Sequence, residues 1–287
     1  MYMLYMKKIF AMTAAALSLA ACSTNDVADI TNDADDNVVN VASATRSADV
    51  EPVAMTAQFH LINVTQKEKH NVNYKSDFTL DDNEYKPTYG KIVWYNGKDA
   101  NGEIANVFQA FSPLRKSSNS ASYTDFNLPN DQSTAEKLEA ADWMTATTTT
   151  TKPADNAITL NFEHKMAKLH FNVTAKDDIG PFDSYSDIIV DNNIIPYCNS
   201  TDNTIEAIVN PGERTTNEQI IRLAGTVAYF RHKINFPENI TLESCKQYNF
   251  NLSIGHYKAT ITSVSVTDWS VKNIDLGGYD DAVNPYS

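Results

Sequence analysis

The sequence predicts an all-β chain folded as β-sandwiches, on three observations. Apolar residues recur with period two in many short runs. Clusters of Asn, Asp, Gly and Pro, such as Asn96-Gly97 and Pro211-Gly212, separate those runs. Only one short segment carries a helix signature. Many short strands with almost no helix is the pattern of a sandwich, in which two sheets bury one core between them.

At the start of the chain, Lys7 and Lys8 form a short positive region, and Ile9 to Ala20 is apolar. That stretch is shorter than the ~20 residues a membrane-crossing helix needs, and it has the layout of a signal peptide. Leu19-Ala20-Ala21-Cys22 closes it and resembles the lipobox of bacterial lipoproteins, where the thiol is acylated and the chain is cut just ahead of it. Residues 1–21 are thus expected to be a lipoprotein signal, with Cys22 as a lipid-bearing first residue. Such a lipid anchors a chain to a membrane without spanning it. Ser23, with Asp26 and Asp29 just downstream, fits delivery to the outer membrane or the cell surface.

Residues 22–51 read as an acidic tether. Ser23 to Asp36 is acidic and too poor in apolar residues to fold. Asn37 to Ala42 (NVVNVA) turns apolar, and a polar linker follows. Arg46 is the only Lys or Arg between Cys22 and Lys67. With Ser47 after it, in an exposed tether, it is an expected protease target.

From Val53 the pattern has period two. Met55, Ala57, Phe59 and Leu61 share one face and Thr56, Gln58 and His60 the other, which predicts a half-buried strand. Further strands are expected at Lys91–Tyr95, Val107–Phe111, Ile158–Val173, Ser186–Val190, Gly225–Arg231, Tyr248–Ile254 and Ala259–Trp269. The one expected helix covers Thr134–Ala141, behind a capping box of Ser133 and Glu136. Thr145–Thr151 reads as a polar loop.

The run Ile158–Val173 (ITLNFEHKMAKLHFNV) changes phase. Ile158, Leu160, Phe162, His164 and Met166 alternate on one face; then Ala167, Leu169, Phe171 and Val173 continue on the other. A one-residue slip swaps faces, so a bulge or a crossing between sheets is required near Met166. A domain boundary is expected there, giving an N-terminal sandwich over 52–160 and a C-terminal one over 161–287.

The chain carries 23 Lys and Arg against 36 Asp and Glu, a net charge of -13. That argues against a nucleic-acid binder, whose cations must neutralise phosphates, and against a polybasic membrane face. No phosphate loop, nucleophile elbow or H-E-x-x-H motif occurs, so no catalytic residue, metal or cofactor is assigned and the chain does not read as an enzyme. His164 and His170 read as hydrogen-bonded structural histidines. Asp99, Asn101 and Gly102 lack the bidentate Glu of a calcium loop and read as a hairpin turn. Trp94, Trp143 and Trp269 could line a sugar site, although core packing explains them more simply. Cys198 and Cys245 could form a disulfide in an oxidising compartment or remain two buried thiols.

Three stretches resemble the fimbrillin-like proteins of Bacteroidales, pilus subunits made from lipoprotein precursors. They are Val107 to Pro113 (VFQAFSP); Asp142 to Ala146 followed by Ile158–Val173, with Phe162, His164, Lys168 and Leu169 as F-x-H-x-x-x-K-L; and Tyr248–Leu252 with Val264–Trp269. The resemblance implies two transthyretin-like β-sandwich domains in tandem and assembly with other pilus subunits by donor-strand exchange. It further implies an Arg-specific protease that cuts the precursor, matched here by Arg46 and Ser47, and Asn37–Ala42 as the strand that leaves. Only 18 residues follow Trp269, so Tyr279–Ser287 would be a short donor, which leaves stalk, tip and anchor roles open. A surface glycan-binding lipoprotein is the alternative reading; it would share the signal and sandwiches but expose coplanar aromatic rings on one face.

Overall fold

The computed structural model describes residues 37–46, 53–54, 58–100, 102–114, 126–176, 185–225 and 231–269. The lipobox with Cys22, most of the acidic tether, Ser47 and the segment after Trp269 lie outside the described residues. The first part of the chain gives β1 (Asn40–Arg46), β2 (Val53–Ala54), β3 (Phe59–Asn63), α1 (Val64–Lys69), β4 (Tyr74–Asp81) and β5 (Glu84–Ile92). Next come β6 (Lys98–Asp99), β7 (Gly102–Glu103), β8 (Asn106–Ser112), α2 (Ala135–Ala141), β9 (Met144–Thr150) and β10 (Ala157–His164). The remainder is β11 (Ala167–Ala175), β12 (Tyr185–Val190), β13 (Tyr197–Asn199), β14 (Thr204–Val209) and β15 (Gly212–Arg214). It closes with β16 (Gln219–Gly225), β17 (Arg231–Asn235), β18 (Ile240–Leu242), β19 (Lys246–Ile254) and β20 (Ala259–Asp268).

The fold is all-β. Its first eight-stranded sheet has the order β10-β9-β8-β3-β4-β5-β1-β2, and β1 also pairs with β10, so the sheet curls into a barrel. Phe59, Phe78, Trp94, Phe108, Leu160 and Phe162 fill it. The second half forms a five-stranded sheet, β13-β14-β11-β19-β20, and a three-stranded sheet, β12-β16-β17. A separate core lies between them, with Leu169, Phe171, Phe250 and Leu252 from the larger sheet and Val190, Ile221 and Leu223 from the smaller.

The phase change falls where the sequence puts it. β10 buries alternate residues up to His164, Met166 is buried in the step, and β11 buries Ala167, Leu169, Phe171 and Val173. β10 belongs to the barrel and β11 to the five-stranded sheet, so the one-residue slip carries the chain from one core to the other.

Several sequence expectations are corrected. β3, between β8 and β4, is buried on both faces and not on one: Phe59 and Leu61 enter the barrel core, and His60 on the other face is held by Asp77 of β4 at 2.5 Å. The threonine run is not a loop but β9, paired along its length with β8; β-branched side chains suit a pleated surface. The helix α2 is capped by Thr134, whose hydroxyl accepts from the Lys137 amide at 3.3 Å, and not by Ser133. A second helix, α1, is capped by Asn63. The strand expected at Gly225–Arg231 comprises only the end of β16 and the start of β17, with 226–230 outside the described residues. Lys91–Tyr95 is likewise the end of β5 plus a loop. Lys98–Asp99 and Gly102–Glu103 pair as the expected hairpin.

Candidate functional site

The feature with functional geometry is β1 in the seam between β5 and β10. It runs parallel to β10, with Asn40 opposite Ala157, Val41 opposite Ile158, Ala44 opposite Leu160 and Arg46 opposite Phe162. The register slips between Val41 and Ser43, so Ala42 is an extra residue and the strand rephases there. On the other side Val41 faces Tyr85 of β5, and Val38 bridges antiparallel to Val93. Without β1, β5 and β10 would be two unpaired edges flanking an apolar slot.

The inward side chains of β1 belong to the barrel core. Val39, Val41 and Ala44 pack there with the aromatic residues. Burying a valine side chain contributes about 1.5–3 kcal/mol, so the strand is a packed plug and not a loose flap. Its backbone is also held. The Val39 amide donates to the Ile92 carbonyl at 2.9 Å, the Asn40 amide to the Asn156 carbonyl at 2.9 Å, and the Tyr85 hydroxyl to the Ala44 carbonyl at 2.7 Å. At its start, Asn37 donates through Nδ2 to the Trp94 carbonyl at 2.8 Å and accepts from Lys152 Nζ at 3.1 Å. The outward side pairs Ser43 with Thr159 and Thr45 with Asn161. The sequence marked Asn37–Ala42 as apolar; the strand runs on to Arg46.

Arg46 corrects an expectation. Read as an exposed residue in a tether, it is the last residue of β1, 8 % exposed, and donates to Glu139 Oε1 of α2 at 3.2 Å. The bulge at Ala42 is the reason: it turns Ala44 and Arg46 to the buried side. Beyond it, the chain returns as β2, with Thr45 opposite Ala54 and Arg46 opposite Val53. Glu139 was invisible to sequence reasoning, because only the fold brings α2 to the end of β1.

His164 of the F-x-H-x-x-x-K-L run and His170 just after it are structural. His164 is 1 % exposed, meets Asp142 Oδ1 at 2.7 Å through Nδ1, and stacks on Trp269 with ring centroids 4.1 Å apart. Trp269 in turn belongs to a small apolar cluster with Leu138, Met166 and Ile208. His170 and Lys168 of β11 both reach Glu206 Oε1 of β14, at 2.8 and 3.0 Å. Burial acts to raise the Glu206 pKa, but the His170 hydrogen bond and the Lys168 charge outweigh it and hold it at about 2.

Cys198 and Cys245 stand as free thiols in this structure, Cys198 exposed and Cys245 partly buried. Cys245 Sγ donates to the His164 carbonyl at 2.9 Å, whereas Cys198 lies on β13 near the Pro196 carbonyl. Burial, with the Glu163 charge, pushes the Cys245 thiol up. The tryptophans make no sugar platform: Trp94 and Trp269 are buried in cores and Trp143 stacks on Phe126. Among the described residues no group of His, Cys, Asp and Glu is placed to hold a metal, and no helix is long and apolar enough to cross a membrane.

Comparison with known proteins bears on the same region. Residues 45–184 match the family model described as fimbrillin-like. No curated protein matches the sequence. Among solved structures, a candidate cell adhesion protein from Bacteroides ovatus aligns over 82 % of this chain and 99 % of its own, with TM-score 0.54 and 13 % identity. Another from Bacteroides uniformis aligns over 83 % of this chain and 100 % of its own, with TM-score 0.53 and 14 % identity. The C-terminally truncated tip fimbrial protein Mfa3 of Porphyromonas gingivalis covers 81 % of this chain and 98 % of its own, with TM-score 0.43 and 11 % identity. At these identities the two Bacteroides structures show a shared fold and nothing more. The matched family is described as fimbrillin-like, and the two neighbours with TM-scores above 0.5 are described as cell adhesion proteins.

Proposed function

The chain is fimbrillin-like by its match over residues 45–184, and from that premise we propose that it is a structural fimbrial subunit of the cell surface, exported as a lipoprotein and assembled by strand exchange in adhesion. The observation that carries this reading is the position of β1, which among the described residues is the strand that closes the barrel between β5 and β10. Arg46 is the last residue of that strand. A cut between Arg46 and Ser47 therefore leaves β1 attached to the lipid side of the chain and held in the barrel only by hydrogen bonds and packing. Its departure opens an apolar slot with two unpaired edges, which a strand from another subunit can fill.

In this account Cys22 carries the acyl chain that delivers the precursor to the outer membrane, and an Arg-specific protease releases the subunit from it. The buried position of Arg46 adds a condition. The protease gains access only when the short Thr45–Ala54 and Arg46–Val53 rungs open, so cutting is gated by fraying at the end of β1. Two tandem transthyretin-like domains remain the domain reading, with the boundary moved from 160 to the step at Met166 and β1 counted with the first domain. Separate cores on either side of the step at Met166 support it.

Arg46→Ala tests the role of the cut. The variant precursor should carry lipid, keep its N-terminus at Cys22 and stay monomeric when exposed to the protease that converts the wild type. Polymerisation at the wild-type rate would remove Arg46 from the account.

A further inference from the structure

A cavity of about 510 Å³ opens beside the start of β1, between Tyr95–Lys98 with Glu103 and Ile104 on one side and Lys152–Asn156 on the other. We propose that this cavity binds a carboxylate-bearing sugar unit, with the Lys98 and Lys152 ammonium groups facing its carboxylate and Tyr95, the Asn96 and Asn156 amides and Glu103 meeting its ring and hydroxyls. The inference goes beyond strand exchange and does not depend on it.

The walls are held by buried groups. Asn106, fully buried, accepts from the Tyr95 amide at 2.8 Å and donates to the Tyr95 carbonyl at 3.0 Å. It is held in turn by Asn63 Nδ2 at 2.8 Å, itself buried. The Ile104 amide closes on the Gly97 carbonyl at 3.1 Å. Opposite, Trp94 Nε1 donates to the Asn156 carbonyl at 3.2 Å, and Asn156 adopts the left-handed conformation at φ 58°. Rigid support of this kind is what a binding site needs and a surface crevice lacks. Tyr95 packs across Gly97 so closely that a Cβ there would collide with the ring.

The chemistry of the lining selects the ligand class. Ile104, Pro153 and Ala154 are its only wholly apolar side chains, too few to bury an apolar ligand or the side chains of a peptide. The others offer ammonium, amide, carboxylate and phenol groups, which suit a hydroxyl-rich molecule, and the volume lies in the ~300–1,000 Å³ range of small-molecule sites. Two of the lining side chains are cationic against one carboxylate in a chain of net charge -13, and Lys152 uses one of its three donors on Asn37 Oδ1 at 3.1 Å. Asp155, beside the lining, accepts from the Ala157 amide at 3.1 Å.

The test is an amide-shift titration of the ¹⁵N-labelled, unlipidated full chain with digalacturonate and, separately, with the neutral cellobiose. Digalacturonate should shift resonances of 95–98, 103–104 and 152–156 and bind at least ten-fold tighter than cellobiose. Lys98→Met should weaken it several-fold through lost charge, and Gly97→Ala should weaken it by pushing the Tyr95 ring into the cavity; both should retain wild-type spectra elsewhere. Equal affinity for the two disaccharides, shifts centred elsewhere, or no shift at tens of millimolar digalacturonate would overturn the proposal.

Discussion

Arg46 at the end of β1 donates to Glu139 on α2, 3.2 Å away, with side chains 10 % and 30 % exposed. The contact spans 93 residues of sequence and fastens the last residue of the barrel-closing strand to a helix outside the barrel. A partly screened pair of this kind contributes about 0.2–1 kcal/mol, too little to hold a strand but enough to shift how often its end frays. Glu139→Gln should therefore leave the unfolding free energy within ~1 kcal/mol of wild type while raising the rate of trypsin cleavage after Arg46 several-fold. Timed digestion with N-terminal sequencing measures both the site and the rate. An unchanged rate would mean that Arg46 is exposed by some other opening.

Val39 and Val41 anchor the buried side of β1. Truncating either to Ala leaves a small cavity beside the aromatic core, with an expected loss of about 1–3 kcal/mol in urea unfolding. The same variants should lose β1 faster once the chain is cut. Ala42→Ser, at the exposed bulge position, should change neither quantity.

Glu206 links stability to acid. Its pKa is about 2 in the folded chain against an unfolded value near 4.5, so the folded state binds fewer protons between those values. The stabilisation is complete above the unfolded pKa and is lost as pH falls from 4.5 toward 2. Glu206→Gln should lower stability at neutral pH and flatten the decline of unfolding free energy across that window. A variant curve parallel to wild type there would assign the acid sensitivity to other carboxylates.

Much of this was legible in the sequence, and the exceptions have physical causes. The phase change at Met166 was visible because period two is a property of adjacent residues. So was the hairpin at Asp99 and Gly102, and the helix at α2 to within one capping residue. The burial of Arg46 was not. It depends on a bulge at Ala42 and on pairing with β10, more than a hundred residues away. The Thr145–Thr151 run gave no apolar period, because β9 draws its stability from pairing with β8 and exposes its threonines in part. The cavity between Tyr95 and Lys152 joins loops whose proximity no local pattern encodes.

The cysteines provide a simple chemical check. Cys198 and Cys245 are free, so the chain purified without reductant should show both thiols after unfolding, and added reductant should leave the melting temperature unchanged. A mass two daltons lower, with both thiols lost, would show that they pair after all.

The central claim is that β1 is an exchangeable strand. The most direct measurement is limited trypsin digestion of the unlipidated precursor, followed by N-terminal sequencing and electrophoresis in SDS without boiling. The account predicts one dominant cut, a new N-terminus at Ser47, loss of the Asn40–Arg46 strand from the folded product and a ladder of SDS-resistant oligomers. A product that begins at Ser47, retains the strand tightly and remains a monomer would contradict it.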